Sequence, residues 1–587
     1  MRHRPIVRAY VAPRPRRIMR RTQLVTFIAI CTLIGVTLYL LRGQSLPKPV
    51  DDPSPELTKA LPPSTEASHP IYQLITKAEK DFEELKFRQS GTLAKAVEEY
   101  RRRYRLPPPP NFDKWYEFAT QRGVELIDEY DTIYHSLLPF WGLPPSVIRG
   151  RARESLGFDN ALLGLVIRDG AVITAAGGSE WQQKSTLGMV KDFVQYLPDM
   201  DLPFNVHDEP RVIVPSDDLS RLVTAAKDQT MPVAFNNQAP NNAWSPRPAD
   251  MDDGTRPNEV KLTRFNVFPH QATWTNSRMS CSPDSPSRAL DEKIEDDVSG
   301  FSYSELGFVA NKTAFSDICM RPSLKERHGF FNRPNAFNIV HDLFPVFSQS
   351  KISSFQDILY PSPWYWSNKV AYDESNDYSW ETKRDKLYWR GSTTGGFSRD
   401  GGWRRQHRQL FVEKINALDN TKVMKNISTS DAAEWKLEEV PRTEYKDLFD
   451  VKFAHVGQCD AGDCDAQREY FEIVKPDKQH NAWQYKYLLD IDGNAFSGRF
   501  YAFLKSMSLV YKMAVFREWH EEWLKPWIHY VPLSLKGDEY VESVRYFNNE
   551  ADGMVQATKL ALQGRDWAGK VLRNEDFEVW FFRLLLE

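Results

Sequence analysis

The stretch Tyr485–Tyr511, YKYLLDIDGNAFSGRFYAFLKSMSLVY, constrains the fold more than any other part of the chain. An apolar run from Tyr485 to Leu489 passes through the turn-forming Asp492-Gly493-Asn494 and leads into Phe500 to Met507, where apolar residues recur at helical spacing. A second apolar run restarts at Leu509 to Tyr511. Strand, loop, helix and strand in that order make one unit of an open α/β sheet, in which ligands settle off the carboxyl ends of the strands. Ser497 and Arg499 stand where the helix begins, so free backbone N–H groups, the helix dipole and a guanidinium fork together favour a phosphate or diphosphate. The same residues also read as an ordinary N-cap and a surface charge, since no full phosphate-loop fingerprint is present.

Two further segments carry chemistry. In Lys386 to Gly396, KLYWRGSTTGG, an apolar run delivers Arg390 and then a small, hydroxylated, glycine-rich turn that lets a ligand approach the backbone closely. With Arg399, Arg404, Arg405 and Arg408 downstream the region is locally basic, and the two loops together suit a nucleotide-sugar diphosphate. Earlier in the chain, the apolar Leu202 to Val206 ends at His207-Asp208-Glu209-Pro210. Pro210 biases Glu209 away from helix, which holds two carboxylates in a turn at a strand end, a usual place for functional groups and equally a place where Asp and Glu serve the turn itself. Asp490-Ile491-Asp492 has the Asp-x-Asp spacing of metal-dependent transferases but also fits a strand entering a turn, and it is taken as structural. Tyr360 to Trp366, YPSPWYW, is an aromatic cluster suited to sugar rings or, more commonly, to packing between domains.

The amino terminus sets the topology. Eight arginines between Arg2 and Arg21 precede Leu24 to Leu41, an uncharged run that would span roughly 27 Å as a helix. That asymmetry predicts a single-pass anchor with a cytosolic tail and a lumenal body in the Golgi or ER, a cleaved signal peptide being the alternative. The expected organisation is a cytosolic tail (1–23), a transmembrane anchor (24–41), a proline-rich stem (42–70), a helical stem or collar (71–150), an amino-terminal domain (151–320) and a carboxyl-terminal domain (321–587). A net charge of −3 gives no global case for nucleic acid. Beyond Cys31, the cysteines Cys281, Cys319, Cys459 and Cys464 suit one or two disulfides in an oxidising lumen better than zinc, whose usual ligand spacing they lack. Asn311-Lys312-Thr313 and Asn426-Ile427-Ser428 are glycosylation sequons, meaningful if the body is lumenal.

KLYWRGSTTGG, YKYLLDIDGNAFSGRFYAFLKSMSLVYK and LKPWIHYVPL together resemble glycosyltransferase family 90, which includes fungal capsule-associated proteins and the animal protein O-glucosyltransferases of the Rumi type. The resemblance extends back through SQSKISSFQDILYPSPWYW to FNVHDEPR, and WGLPP is similar to the fungal branch. It implies an α/β fold of the GT-B type, with two Rossmann-like domains facing a cleft and the donor held mainly by the second. It also implies inversion without a required metal, while leaving a divalent ion open. Residue by residue, it makes Asp208 the catalytic base, Ser392 and Arg399 donor contacts, and Asn494, Ala495, Phe496, Ser497, Gly498 and Arg499 the loop around the nucleotide, with Arg499 at the diphosphate. His207 and Glu209 replace an arginine and a tyrosine of the family pattern, so Glu209 stands as the rival base.

The chemistry agrees with that expectation. A carboxylate with a reference pKa of about 4 is already ionised in a mildly acidic lumen and can deprotonate an attacking hydroxyl. Charge building on the departing diphosphate calls for the arginines and the helix terminus. The expected reaction moves a sugar, xylose or glucose foremost, from a UDP-sugar to a hydroxyl of a glycan or glycoprotein. Two other classes fit parts of the pattern: an inactive lumenal carbohydrate-binding or scaffold protein of cell-wall or capsule synthesis, and a glycoside hydrolase, which would place two carboxylates about the scissile bond.

Overall fold

Asp169-Gly170, both with left-handed backbone (φ 48° and 72°), close a tight hairpin between β1 (Leu162–Arg168) and β2 (Ala171–Ala176). This is the start of the first sheet in a computed structural model that describes residues 68–236, 260–289, 295–428 and 433–587. All seven residues of β1 are buried, as befits a strand covered on both faces, and it pairs antiparallel with both β2 and β3 (Met200–Asn205). Parallel pairing then adds β4 (Phe347–Ser348) and β5 (Ile358–Leu359), giving the order β2-β1-β3-β4-β5. This sheet is therefore mixed where a Rossmann-like unit would be parallel. A two-residue turn can return the chain only antiparallel, since parallel neighbours need a long crossover.

The second sheet is parallel throughout. Its strands are β6 (Arg384–Ser392), β7 (Phe449–His455), β8 (Tyr485–Ile491), β9 (Leu509–Met513) and β10 (Val531–Pro532), in the order β7-β6-β8-β9-β10. The stretch that opens the sequence argument folds as strand, loop, short helix and strand, its helix running Phe500–Lys505. From β6 the chain steps outward to β7 and then returns past β6 to β8. The connections thus reverse direction between β6 and β8, and the crevice at their carboxyl ends is the place where doubly wound sheets bind ligands.

Helices tie the two sheets into one body. The described residues belong to one compact unit, Ala60–Glu587. α1 (Pro70–Phe87) is capped by the buried His69, whose ring accepts from Ile71 N, pairs with Glu542 at 2.9 Å and stacks on Tyr546. α2 (Leu93–Tyr104) and α3 (Phe112–Gln121) contribute Tyr100, Phe112 and Trp115 to a box of rings, completed by Tyr130, around the guanidinium of Arg583, 4.4–5.3 Å from each centroid. These contacts pack the helices of 71–150 against the carboxyl-terminal helix. α4 (Glu180–Val190) follows the first hairpin. The last helix, Asn574–Leu586, packs back on α3 and α4, and its Phe581 and Phe582 meet Phe204 and Phe193 of the first half.

Of the one or two disulfides expected, two form, Cys281–Cys319 and Cys459–Cys464. Among the described residues no helix is long and apolar enough to cross a membrane. The expected anchor at 24–41 lies outside the described residues, as do the cytosolic tail and most of the proline-rich stem.

Candidate active site

The two glycine-containing loops meet at the crevice between β6 and β8. Asn494 Oδ1 accepts from Gly395 N at 3.2 Å. Gly395 has a left-handed backbone (φ 107°), and a Cβ there would press on the His407 ring and the Gly493 carbonyl. His407 opens the helix His407–Ile415; it receives Gly329 N on Nδ1, which leaves Nε2 as the donor to Asp492 O at 2.8 Å. Burial pushes its pKa down to about 3, in keeping with a neutral ring.

Arg408, the next residue, ties the crevice together. Its Nε donates to Asp492 O (2.8 Å), Nη2 to Ile491 O (3.2 Å), and Nη1 to both Ser392 O (3.2 Å) and Thr394 Oγ1 (2.8 Å), so one guanidinium spans the ends of β6 and β8. Ser392 Oγ is 3.0 Å from the same Thr394 hydroxyl. Arg499 Nη1 donates to Arg390 O at 2.6 Å, and its guanidinium lies near the Trp389 and Phe503 rings. Desolvation lowers the pKa of both arginines, and for Arg408 the charge of Arg499 is the next largest cause. Two desolvated guanidiniums, Arg408 buried and Arg499 partly open, therefore concentrate positive charge at the switch point, a field that an anion would relieve.

Within the expected nucleotide loop, Asn494, Phe496, Gly498 and Arg499 keep solvent access while Ala495 and Ser497 are buried. Ser497 O accepts from Tyr365 Oη (2.6 Å) and Gly498 O from Trp364 Nε1 (3.2 Å). The aromatic cluster thus packs beneath the loop: Tyr365 stacks on Tyr501, and Tyr360 on the side of Phe204. Arg399 does not join these contacts. It is half exposed and pairs with Asp460 at 2.6 Å beside the Cys459–Cys464 disulfide, where Ser398 and Gly401 also hold Asp463. Arg408 takes the bridging position, and only its place in a basic helix start was visible in the sequence.

Asp490 and Asp492 are both buried and engaged. Asp490 meets Lys512 Nζ at 3.1 Å, and Asp492 Oδ2 accepts from Val515 N and Phe516 N at 2.7 and 3.1 Å. Among the described residues there is no group of three or more His, Cys, Asp or Glu placed to hold a metal.

The candidate base lies at the end of β3. Asn205 organises the turn: its Oδ1 accepts from His207 N (3.0 Å), and its Nδ2 donates to Glu209 O (2.8 Å) and Ser348 Oγ (3.1 Å). Ser348 in turn donates to Asp357, which also receives Arg211 N and Val212 N. The result is a fixed turn with two unlike carboxylates. Glu209 is buried, accepts from Ala336 N at 2.9 Å, and is pushed up to about 8 by desolvation and then by the charge of Asp208. Asp208 is open to solvent yet surrounded by enough protein for desolvation to raise its pKa, the condition of a group on a cleft wall. The segment 329–336 joins this turn to the glycine-rich loop, with Ala336 N on Glu209 at one end and Gly329 against Gly395 and Gly396 at the other, while Arg333 O accepts from Phe397 N at 2.6 Å.

A parallel sheet with arginine-bearing loops at its switch point is an arrangement that suits an anionic ligand. Residues 330–587 match the model of glycosyl transferase family 90, and the chain carries a glycosyltransferase domain of that family. Similar curated proteins are an O-glucosyltransferase rumi homolog of Aedes aegypti, 27% identical over 264 residues (41% of this chain, 54% of that protein), and the O-glucosyltransferase rumi of Drosophila melanogaster, 27% identical over 263 residues (41% and 53%). Protein O-glucosyltransferase 1 of Rattus norvegicus is 26% identical over 269 residues, 41% of this chain and 56% of that protein. The chain spans about half the length of the curated relatives it matches.

Proposed function

We propose that this protein transfers a sugar, xylose or glucose, from a UDP-sugar to a hydroxyl of a glycan or glycoprotein, with inversion. The carrying observation is the pair of guanidiniums, Arg408 and Arg499, held by backbone carbonyls at the ends of β6 and β8, at the switch point of a family 90 domain. In this reading the diphosphate sits at that crevice beside Arg499, with Ser392 and the Asn494 to Arg499 loop around the nucleotide. Arg399 reaches the donor only by leaving Asp460. Asp208 takes the proton from the acceptor hydroxyl, and the arginines stabilise the leaving diphosphate with no metal required. The rat relative is named a protein O-glucosyltransferase and the insect relatives O-glucosyltransferases, and the rat name favours a protein acceptor. The two sheets serve as acceptor-side and donor-side lobes of a GT-B arrangement. The body lies in the Golgi or ER lumen behind a single-pass anchor at 24–41.

Calorimetry with UDP tests the assignment. Arg499→Ala should weaken UDP binding by about 2 kcal/mol, the scale of a charged hydrogen bond lost from a partly buried site. Unchanged affinity in a folded variant would remove Arg499 from the donor site. Release of UDP from UDP-xylose or UDP-glucose only in the presence of acceptor separates transfer from both a binding-only protein and a hydrolase.

A further inference from the structure

The donor loop is not held by its own lobe alone. The carbonyls of Ser497 and Gly498 are both taken by side chains of the short helix Pro363–Trp366, through Tyr365 Oη and Trp364 Nε1. Gly498 is required by closeness, because a Cβ there would overlap the Trp364 indole. The other side of that indole meets Trp181 edge-on, with centroids 5.9 Å apart and planes at 82°. Trp181 belongs to α4, and a second contact, Gly188 under the Trp366 ring, fixes the same helix against the same cluster. The residue after Trp181, Gln182, is buried and donates to Val206 O at 3.1 Å, two residues before Asp208. One turn of α4 therefore touches both the Asp208 turn and, through Trp364, the carbonyls of the donor loop.

We infer that Trp364 and Trp181 are positioning residues that hold the donor loop at a fixed distance from the Asp208 turn. The inference rests on the donor-site reading above. Trp364 supplies an N–H to Gly498 O, and Trp181 sets where that N–H points. A hydrogen bond of this kind is worth about threefold to tenfold in an equilibrium that depends on it. The rings share contact, so their effects should not simply multiply.

UDP binding by calorimetry, with thermal unfolding alongside, tests this in four forms of the full chain: wild type, Trp364→Phe, Trp181→Leu and the double variant. Trp364→Phe keeps a ring against Gly498 but deletes the donor, and is expected to weaken UDP binding about threefold to tenfold. Trp181→Leu, though remote from the loop, should weaken it in the wild-type background and have little further effect once Trp364 is Phe. For the UDP-sugar, KM should rise more than kcat falls in both single variants. Equal effects of Trp181→Leu in the two backgrounds, or a lowered Tm with UDP affinity unchanged, would overturn the link and leave these residues as packing only. Tyr365→Phe, which removes the bond to Ser497 O, replaces Trp364→Phe if that variant does not fold. Arg499→Ala separates the two levels. If it weakens UDP binding and the aromatic variants do not, the link fails alone; if it also has no effect, the donor-site reading fails with it.

Discussion

Asp208→Asn beside Glu209→Gln is the decisive pair of substitutions, because the structure gives the neighbouring carboxylates opposite environments. Glu209, with a pKa of about 8, is ionised in only about one molecule in ten at pH 7, and it spends an oxygen on Ala336 N. Gln in its place keeps an acceptor for that N–H and removes a proton that is mostly present anyway, so kcat should change by less than about threefold. Asp208 has no hydrogen-bonding partner among the described residues and is open to solvent, so Asn removes its basicity without breaking a contact. Loss of general-base catalysis is worth about 100-fold to 10,000-fold, equivalent to ~3–5 kcal/mol in the barrier. The assay is acceptor-dependent UDP release, with UDP affinity and Tm measured in parallel. Asp208→Asn should keep both of these, since removing a desolvated charge relieves the fold. Because desolvation raises the Asp208 pKa, the acid limb of the wild-type rate profile should also lie above the usual aspartate range. A dead Glu209→Gln with an active Asp208→Asn would assign the base to Glu209, and full activity in both would refute carboxylate base catalysis at this turn.

Arg408→Met should destabilise the fold by about 3 kcal/mol or more, since it leaves the carbonyls of Ile491 and Ser392 without that donor, whereas Arg399→Met should change stability little because its partner is at the surface. Urea midpoints compare them, and a larger loss in Arg399→Met would contradict the bridging role of Arg408. Protease added to intact microsomes should spare the large carboxyl-terminal fragment, and Asn426, exposed at a strand end, should carry a glycan removable by endoglycosidase. Digestion of that fragment in sealed vesicles would reverse the topology.

The parts legible in the sequence are those encoded locally. Tyr485–Tyr511 could be read as strand, loop, helix and strand because apolar period and turn residues lie within one window, and both loops of the crevice were visible as glycine-containing turns after apolar runs. Asp169-Gly170 is the kind of pair that closes an antiparallel hairpin, and that hairpin makes the first sheet mixed. What local pattern cannot show is partnership at long range. Arg408 looked like one cation in a basic run because its acceptors lie more than 80 residues away at Ile491 and Asp492. Glu209 and Asp208 are alike as turn carboxylates until Ala336, 127 residues on, takes one of them. Arg399 shows the converse: its match to a donor contact came from alignment, while its present partner is the aspartate beside a disulfide.

The concentration of buried charge near the switch point has a consequence for stability. Lys512 lies 3.1 Å from Asp490 and 3.5 Å from Glu518, so one ammonium faces two carboxylates, and desolvation pushes Glu518 up to about 8. Glu209 is raised to the same region. For both groups the folded pKa stands above the unfolded value, so the folded state holds protons that the unfolded state has released. The resulting stability is complete below the unfolded pKa and is lost as pH rises through about 8. Between pH 6.5 and 8, Glu522, also raised to about 8, and Glu578, raised to about 7, act in the same direction, while the buried His328, His520 and His529, held well below the usual histidine range, oppose it at the lower end. Below this window the buried His207 and His407, with pKa values lowered to about 4 and about 3, pull in the opposite direction, and above it Lys351, lowered to about 8, begins to do so. Each group can contribute at most ~1.4 kcal/mol per pH unit, so the Glu518 share, read as the difference between wild type and Glu518→Gln, should change by about 1–2 kcal/mol across the window. Glu518→Gln should remove that share of the slope while keeping a hydrogen-bonding side chain near Lys512. Urea unfolding at pH 6.5, 7.25 and 8 measures it. A slope untouched by Glu518→Gln would mean that Glu518 is ionised in the folded protein and that the ammonium of Lys512 balances both acids.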